Sequence, residues 1–136
     1  MTDLIEVRVS NLVGVALDWA VTKAAGLEDT AKLLFPAIID ERNQPCMVTH
    51  SWSAWSPSTD WSQGGPLYDK YLGNSTHSPY HAGSDICYSA GVGSDNPAVS
   101  HVWCHGPTAL VSFCRSLVLS KLGDTVQVPK ELIPCS

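Results

Sequence analysis

The middle of the chain constrains the fold more than any other part of it. From Ser53 to Asn96, serine, proline, glycine, asparagine and aspartate dominate, interrupted by Trp55, Trp61, Tyr68, Tyr71, Tyr80 and Tyr88. Such a stretch is too polar to be core and too aromatic to be a disordered linker. It is expected to form an ordered, loop-rich surface containing short strands. The core must then be built by the apolar segments on either side of it, which are far apart in sequence.

On the N-terminal side, Ile5, Val7 and Val9 alternate with Glu6 and Arg8, which predicts a short strand with one buried face. Leu12 to Ala25 reads as a helix. Its apolar residues, among them Leu12, Ala16, Leu17, Ala20 and Val21, cover most of the circumference and leave only Gly14, Asp18 and Thr22 as a narrow polar wedge. Gly26 is placed to end it in a left-handed conformation. Leu27 to Phe35 reads as a shorter helix with Asp29 or Thr30 near its start and Pro36 as its stop. Cys46 to Trp52 alternates weakly, as a strand would.

On the C-terminal side, Ala98 to Cys104 is a strand candidate that leads into Gly106-Pro107-Thr108, where Pro107 suits a first helical turn. Leu110, Val111, Phe113, Cys114, Leu117, Val118 and Leu122 fill one half of the following wheel; Thr108, Ser112, Arg115, Ser116 and Ser120 fill the other. Gly123 is the expected stop, and Thr125 to Val128 alternates as a closing strand. With no internal repeat and no boundary, the reading is one α+β domain over residues 1–136. It has a short β-sheet packed with two main helices and a long loop-rich aromatic surface.

A chain of 136 residues can bury roughly two thirds of its unfolded surface without a metal or disulfide staple. Eight Lys and Arg against thirteen Asp and Glu give a formal charge of -5. The cations are dispersed, which argues against duplex nucleic acid as a partner. No apolar run approaches the ~20 residues of a membrane span, and the first residues lack a basic-then-apolar signal. Five cysteines, odd in number and irregularly spaced, read as reduced thiols. The composition leaves self-association open.

Two segments could carry chemistry. In Ser58-Thr59-Asp60-Trp61-Ser62-Gln63-Gly64-Gly65-Pro66-Leu67, paired glycines can turn several amides into one concavity suited to an anion. Trp61 offers a flat face for a base or sugar, and Thr59, Asp60 and Gln63 offer hydrogen-bonding groups. A tight turn with Trp61 plugged into the core explains the same residues. In Trp103-Cys104-His105-Gly106-Pro107-Thr108, a strand feeds a helix start whose free amides and dipole also suit an anion, with Thr108 adding a hydroxyl; an ordinary helix cap is the plainer reading. Arg115 lies too far along the axis to be more than a supporting cation. Neither segment has the glycine and lysine spacing of a nucleotide-binding loop.

His77, His81, Cys87, His101, Cys104 and His105 have some ligand-type spacings but contain no paired Cys-x-x-Cys, so no metal site is assigned. No nucleophile elbow or zinc-hydrolase motif is present, and neighbours Cys104 and His105 on a strand would face opposite ways. Asp18 is either a perturbed acid or a hydrogen-bonded structural carboxylate. No catalytic residue and no cofactor are assigned, and a binding protein is favoured over an enzyme.

Leu12-Val13-Gly14-Val15-Ala16-Leu17-Asp18-Trp19-Ala20-Val21, Pro57-Ser58-Thr59-Asp60-Trp61-Ser62-Gln63-Gly64-Gly65-Pro66, Gly106-Pro107-Thr108-Ala109-Leu110 and Ser120-Lys121-Leu122-Gly123-Asp124 resemble the NinX-like family of small phage proteins, a domain of unknown function. The resemblance reaches nearly both ends of the chain and implies a phage origin and work in the cytoplasm of a bacterial host. It implies no reaction. It does shift weight towards a binding role for the two polar segments, since their residue types suit a surface better than packing.

The leading expectation is a phage accessory protein that binds a small anionic, nucleotide-like ligand through Thr59, Asp60, Trp61, Gln63, Gly64, Gly65, Gly106 and Thr108, and so sequesters a host defence signal as a counter-defence factor. The alternatives are a protein–protein interaction module acting on a host or phage partner, and a small hydrolase or transferase using the same cleft with Asp60 or Asp18 as its acid.

Overall fold

In a computed structural model, residues 4–34, 46–51, 53–71, 73–77, 88–92 and 102–132 are described. Among them, three α-helices and three small antiparallel sheets form an α+β arrangement. The terminal strands β1 (Leu4–Arg8) and β7 (Thr125–Pro129) pair with Ile5 opposite Val128 and Val7 opposite Val126. These four apolar residues share the inward face, as period-two alternation requires. β2 (Ala31–Leu34) pairs with β3 (Cys46–Thr49). β4 (Asn74–His77), β5 (Tyr88–Val92) and β6 (Val102–Gly106) make the third sheet, with β5 central.

Helix α1 (Gly14–Ala24) ends at Ala25, followed by Gly26 at φ +69°, the left-handed residue expected there. Helix α3 (Ala109–Leu122) starts at Thr108, whose hydroxyl accepts the Val111 amide at 3.1 Å, and stops at Gly123. Pro107 therefore precedes the cap rather than opening the first turn. The core gathers Leu12, Leu17 and Val21 from the α1 region, Phe113, Leu117 and Val118 from α3, and Val128 from β7.

Three expectations are corrected. The segment expected as a helix from Leu27 to Phe35 is not one over its described residues 27–34: a turn carries the chain into β2, whose pairing with β3 overrides the cap-like Asp29 and Thr30. The polar half of α3 reaches solvent only at its ends, at Thr108 and Ser120. Every residue from Leu110 to Val118 is buried, because α3 is covered by β5 and β6 on one side and by α1 and α2 elsewhere. Its polar groups are satisfied internally: Ser112 Oγ donates to Thr108 O at 2.7 Å and Ser116 Oγ to Phe113 O at 2.7 Å. Arg115, 2% exposed, donates from Nε to Leu12 O and from Nη1 to His105 O, each at 2.9 Å. It is thus a structural cation and not a support for an anion site.

The third correction adds a main helix. The Gly-Gly-Pro segment is not a turn but part of α2 (Trp61–Lys70), capped by the Asp60 carboxylate through the Ser62 amide at 2.9 Å. Gly64 makes this helix possible here. A Cβ on it would collide with Pro57 O and sit 2.7 Å from Leu110 Cδ1, so only glycine lets α2 approach α3 this closely. Gly65 is different, since beyond its chain neighbours a Cβ there would meet the Trp61 ring, at 3.9 Å.

The two glycines should therefore respond differently to alanine in urea denaturation. Gly65→Ala is expected to change stability by less than about 1 kcal/mol, because the helical gain of alanine over glycine is opposed by crowding of its Cβ against the Pro66 ring. Gly64→Ala should lose about 1–3 kcal/mol through overpacking. A loss at Gly65 as large as that at Gly64 would contradict the helix.

Candidate functional site

Residues 54–60 join β3 to α2, and side chains from all three helices hold them. Asp18 Oδ1 on α1 accepts the Ser58 amide at 2.8 Å. One turn later, Thr22 Oγ1 donates to Asp18 O at 2.8 Å and accepts Trp55 Nε1 at 3.0 Å. From α2, Gln63 Oε1 accepts the Ser56 amide at 2.7 Å while its Nε2 donates to Ala54 O at 2.8 Å. From α3, Cys114 Sγ lies 3.7 Å from Pro57 O as a weak donor. The polar wedge of α1 thus faces inward, onto this loop.

Burial dominates the electrostatics of the anchor. Asp18 is 4% exposed, and desolvation pushes its carboxyl up to about 6 against the opposing pull of the Ser58 hydroxyl beside it and of the Ser58 amide that donates to it. The Ser58 Oγ is sealed from solvent beside this carboxylate without a well-formed hydrogen bond. Burial, and secondarily the Asp18 charge, push the Cys114 thiol far up; burial also raises Cys104, with Arg115 opposing and Asp124 adding to the shift. Neither thiol is activated as a nucleophile. Asp60 is a surface carboxylate held below its ordinary value by the Ser62 hydroxyl and amide.

The first segment singled out in the sequence approaches α3 where Gly64 lies against Leu110, two residues past the end of the second segment at Thr108. Their donors and acceptors are largely engaged, however. The Gly64 and Gln63 amides both donate to Asp60 O, at 2.8 and 3.1 Å. Gln63 is spent on the loop, Thr108 on its own helix, and Thr59 points its hydroxyl at Ser56 O, 3.5 Å away. Gly106 is buried where a Cβ would sit 2.7 Å from Ser112 Oγ, so it serves the packing of β6 on α3. Helical Gly64 and Gly65 leave no glycine turn of convergent amides. The ring is not plugged into the core either: Trp61 is 53% exposed. It stands edge-on to Tyr68 at 5.7 Å, and Tyr68 in turn packs at 5.0 Å on the buried Phe113.

Sequence reading missed Trp55, Thr22, Ser56 and Tyr68 as parts of this arrangement. Trp61 and Tyr68 are seven residues apart, the spacing of one helical face, but that signal is visible only once the segment is known to be a helix. Of the histidine and cysteine candidates, His81, Cys87 and His101 lie outside the described residues. Among the described residues, no group of three or more His, Cys, Asp or Glu is placed to hold a metal ion. Cys46, Cys104 and Cys114 carry free thiols.

A family model described as Bacteriophage P22, NinX matches residues 8–121. The chain belongs to the bacteriophage P22 NinX family. No curated protein matches it significantly. In this NinX-family protein, three of the four segments that carry the resemblance lie together: Asp18 holds Ser58, Gln63 holds the loop before α2, and Gly64 abuts Leu110. No helix among the described residues is long and apolar enough to cross a membrane.

The anchor makes a pH prediction. The folded-state value of Asp18 lies above its unfolded 3.8, so the stability it contributes is complete below 3.8 and is lost as pH rises through about 6. The ionised form should cost up to about 3 kcal/mol at pH 8. Asp18→Asn keeps an acceptor for the Ser58 amide and adds a donor for its hydroxyl. It is expected to be more stable than the parent at pH 8 and to lose that advantage at pH 4, as read by chemical denaturation. Asp18→Ala should be destabilised at both, by about 1–3 kcal/mol, because it strands a buried amide. An Asn variant weaker than the parent at pH 8 would refute the desolvation account.

Proposed function

We propose that this protein is a phage accessory interaction module that docks onto a host or phage protein, in the cytoplasm of the bacterial host, through the N-terminal end of α2. The observation that carries this reading is the half-exposed Trp61 ring on a rigid mount. An indole buries a large area at small entropic cost, and such residues dominate protein interfaces. Tyr68 and Phe113 back the ring, and Gly65 places no side chain beside it.

The charge around the ring favours a protein partner over an anion. The Asp60 carboxylate occupies the positive end of the α2 dipole, where a phosphate would otherwise bind, and stays ionised there. The Gln63 and Gly64 amides already donate to Asp60 O, and the Val111 and Ser112 amides at the start of α3 to Thr108. Sequestration of a nucleotide-like defence signal would have to rely on stacking alone at this end of α2, beside a negative charge.

Replacing Ser62 with a photo-crosslinking phenylalanine analogue places a probe next to the ring. Illumination of phage-infected cells is expected to give one discrete adduct, and Trp61→Ala should remove it while the melting temperature stays within a few degrees of the parent. Absence of an adduct would defeat the proposal. A rise in melting temperature with nucleotides that Trp61→Ala abolishes would restore the anionic-ligand reading instead.

A further inference from the structure

A different face of the molecule carries a second inference, independent of Trp61. The Val9 amide donates to Asp124 O at 2.9 Å, continuing the β1–β7 register by one pair. In an antiparallel ladder, alternate residues point their peptide groups to alternate sides. Ile5 and Val7 therefore turn theirs towards β7, as Val9 does. Leu4, Glu6 and Arg8 turn their N–H and C=O groups to the opposite edge of β1, which no strand pairs among the described residues.

This edge has features of an unfinished sheet. A two-stranded ribbon is marginal by itself. Val126 and Val128 on β7 are buried, whereas their partners Val7 and Ile5 on β1 are only half-buried. β1 contains no proline or lysine to discourage pairing. On its outer face Leu4, Glu6 and Arg8 are all exposed, with the Glu6 carboxylate accepting the exposed Thr125 hydroxyl at 3.2 Å.

We propose that β1 is the interface between two copies of this chain, paired antiparallel across a two-fold axis at Val7 into a continuous sheet of order β7-β1-β1-β7. The charges select both partner and register. With Val7 on the axis, Glu6 of each copy lies directly opposite Arg8 of the other, giving two attractive cross-strand pairs. The same two residues have their peptide groups on the free edge, so each pair exchanges two backbone hydrogen bonds, four in all. Centring the axis on Glu6 would instead set two carboxylates face to face. Isologous pairing of this kind is closed and does not propagate into a fibre.

Analytical ultracentrifugation and native mass spectrometry test this. The parent is expected to dimerise, more tightly at low ionic strength than at high. Glu6→Arg and Arg8→Glu each place like charges opposite one another and should weaken the homodimer by roughly tenfold or more. Mixing those two variants should yield a heterodimer, and the double variant Glu6→Arg/Arg8→Glu should regain the homodimer. Both positions are exposed, so circular dichroism should show the fold unchanged. A parent that stays monomeric, single variants that dimerise like the parent, or a mixture that gives no heterodimer would each overturn the proposal.

Discussion

The position of α2 depends on one buried hydrogen bond, from the Ser58 amide to the Asp18 carboxylate. A carboxyl group in that location is costly to ionise, yet it captures a peptide N–H that would otherwise be stranded inside the protein. Around it the bonds of Thr22 and Gln63 and the contact of Cys114 fix residues 54–60 from three directions. With the loop fixed, Asp60 sits where it can cap α2, and Gly64 meets Leu110. The exposed Trp61 is thus set by chemistry some distance away, at the opposite end of a chain of satisfied polar groups.

The same logic explains why polar residue types in the family-like segments need not form an open cleft. Ser, Asp, Gln and Gly look like a binding surface when read along the chain. In three dimensions, Ser58, Gln63 and Gly64 solve packing and hydrogen-bonding problems, Asp60 caps a helix, and Thr59, Trp61, Ser62 and Pro66 are left facing out. The exposed part of this segment is accordingly narrower than its polar composition suggests.

What could be read from the sequence follows from whether local and tertiary preferences agree. For α3 they nearly agree: the apolar spacing and Gly123 mark the helix and its stop, while the start falls after a cap at Thr108 and not at Pro107. The terminal strands were equally legible because their alternation survives in the pairing. For α2 they conflict. Gly64, Gly65 and Pro66 all disfavour a helix locally, and only the close approach to Leu110 and Pro57 accounts for the first. The inward polar face of α3 was hidden for a similar reason, since its acceptors are backbone carbonyls of residues as remote as Leu12. Period alone cannot distinguish a serine that meets water from one that meets a carbonyl.

The burial of α3 on all sides from Leu110 to Val118 has a mechanical consequence. None of the three sheets has more than three strands, and two of them lean on this one helix. It works as an axle to which otherwise separate parts are keyed, some by apolar teeth and others by Arg115 and the serines. Partial loosening is therefore hard to accommodate, because displacing the axle by one turn would unseat several neighbours together. The molecule should be expected to open as one unit or not at all.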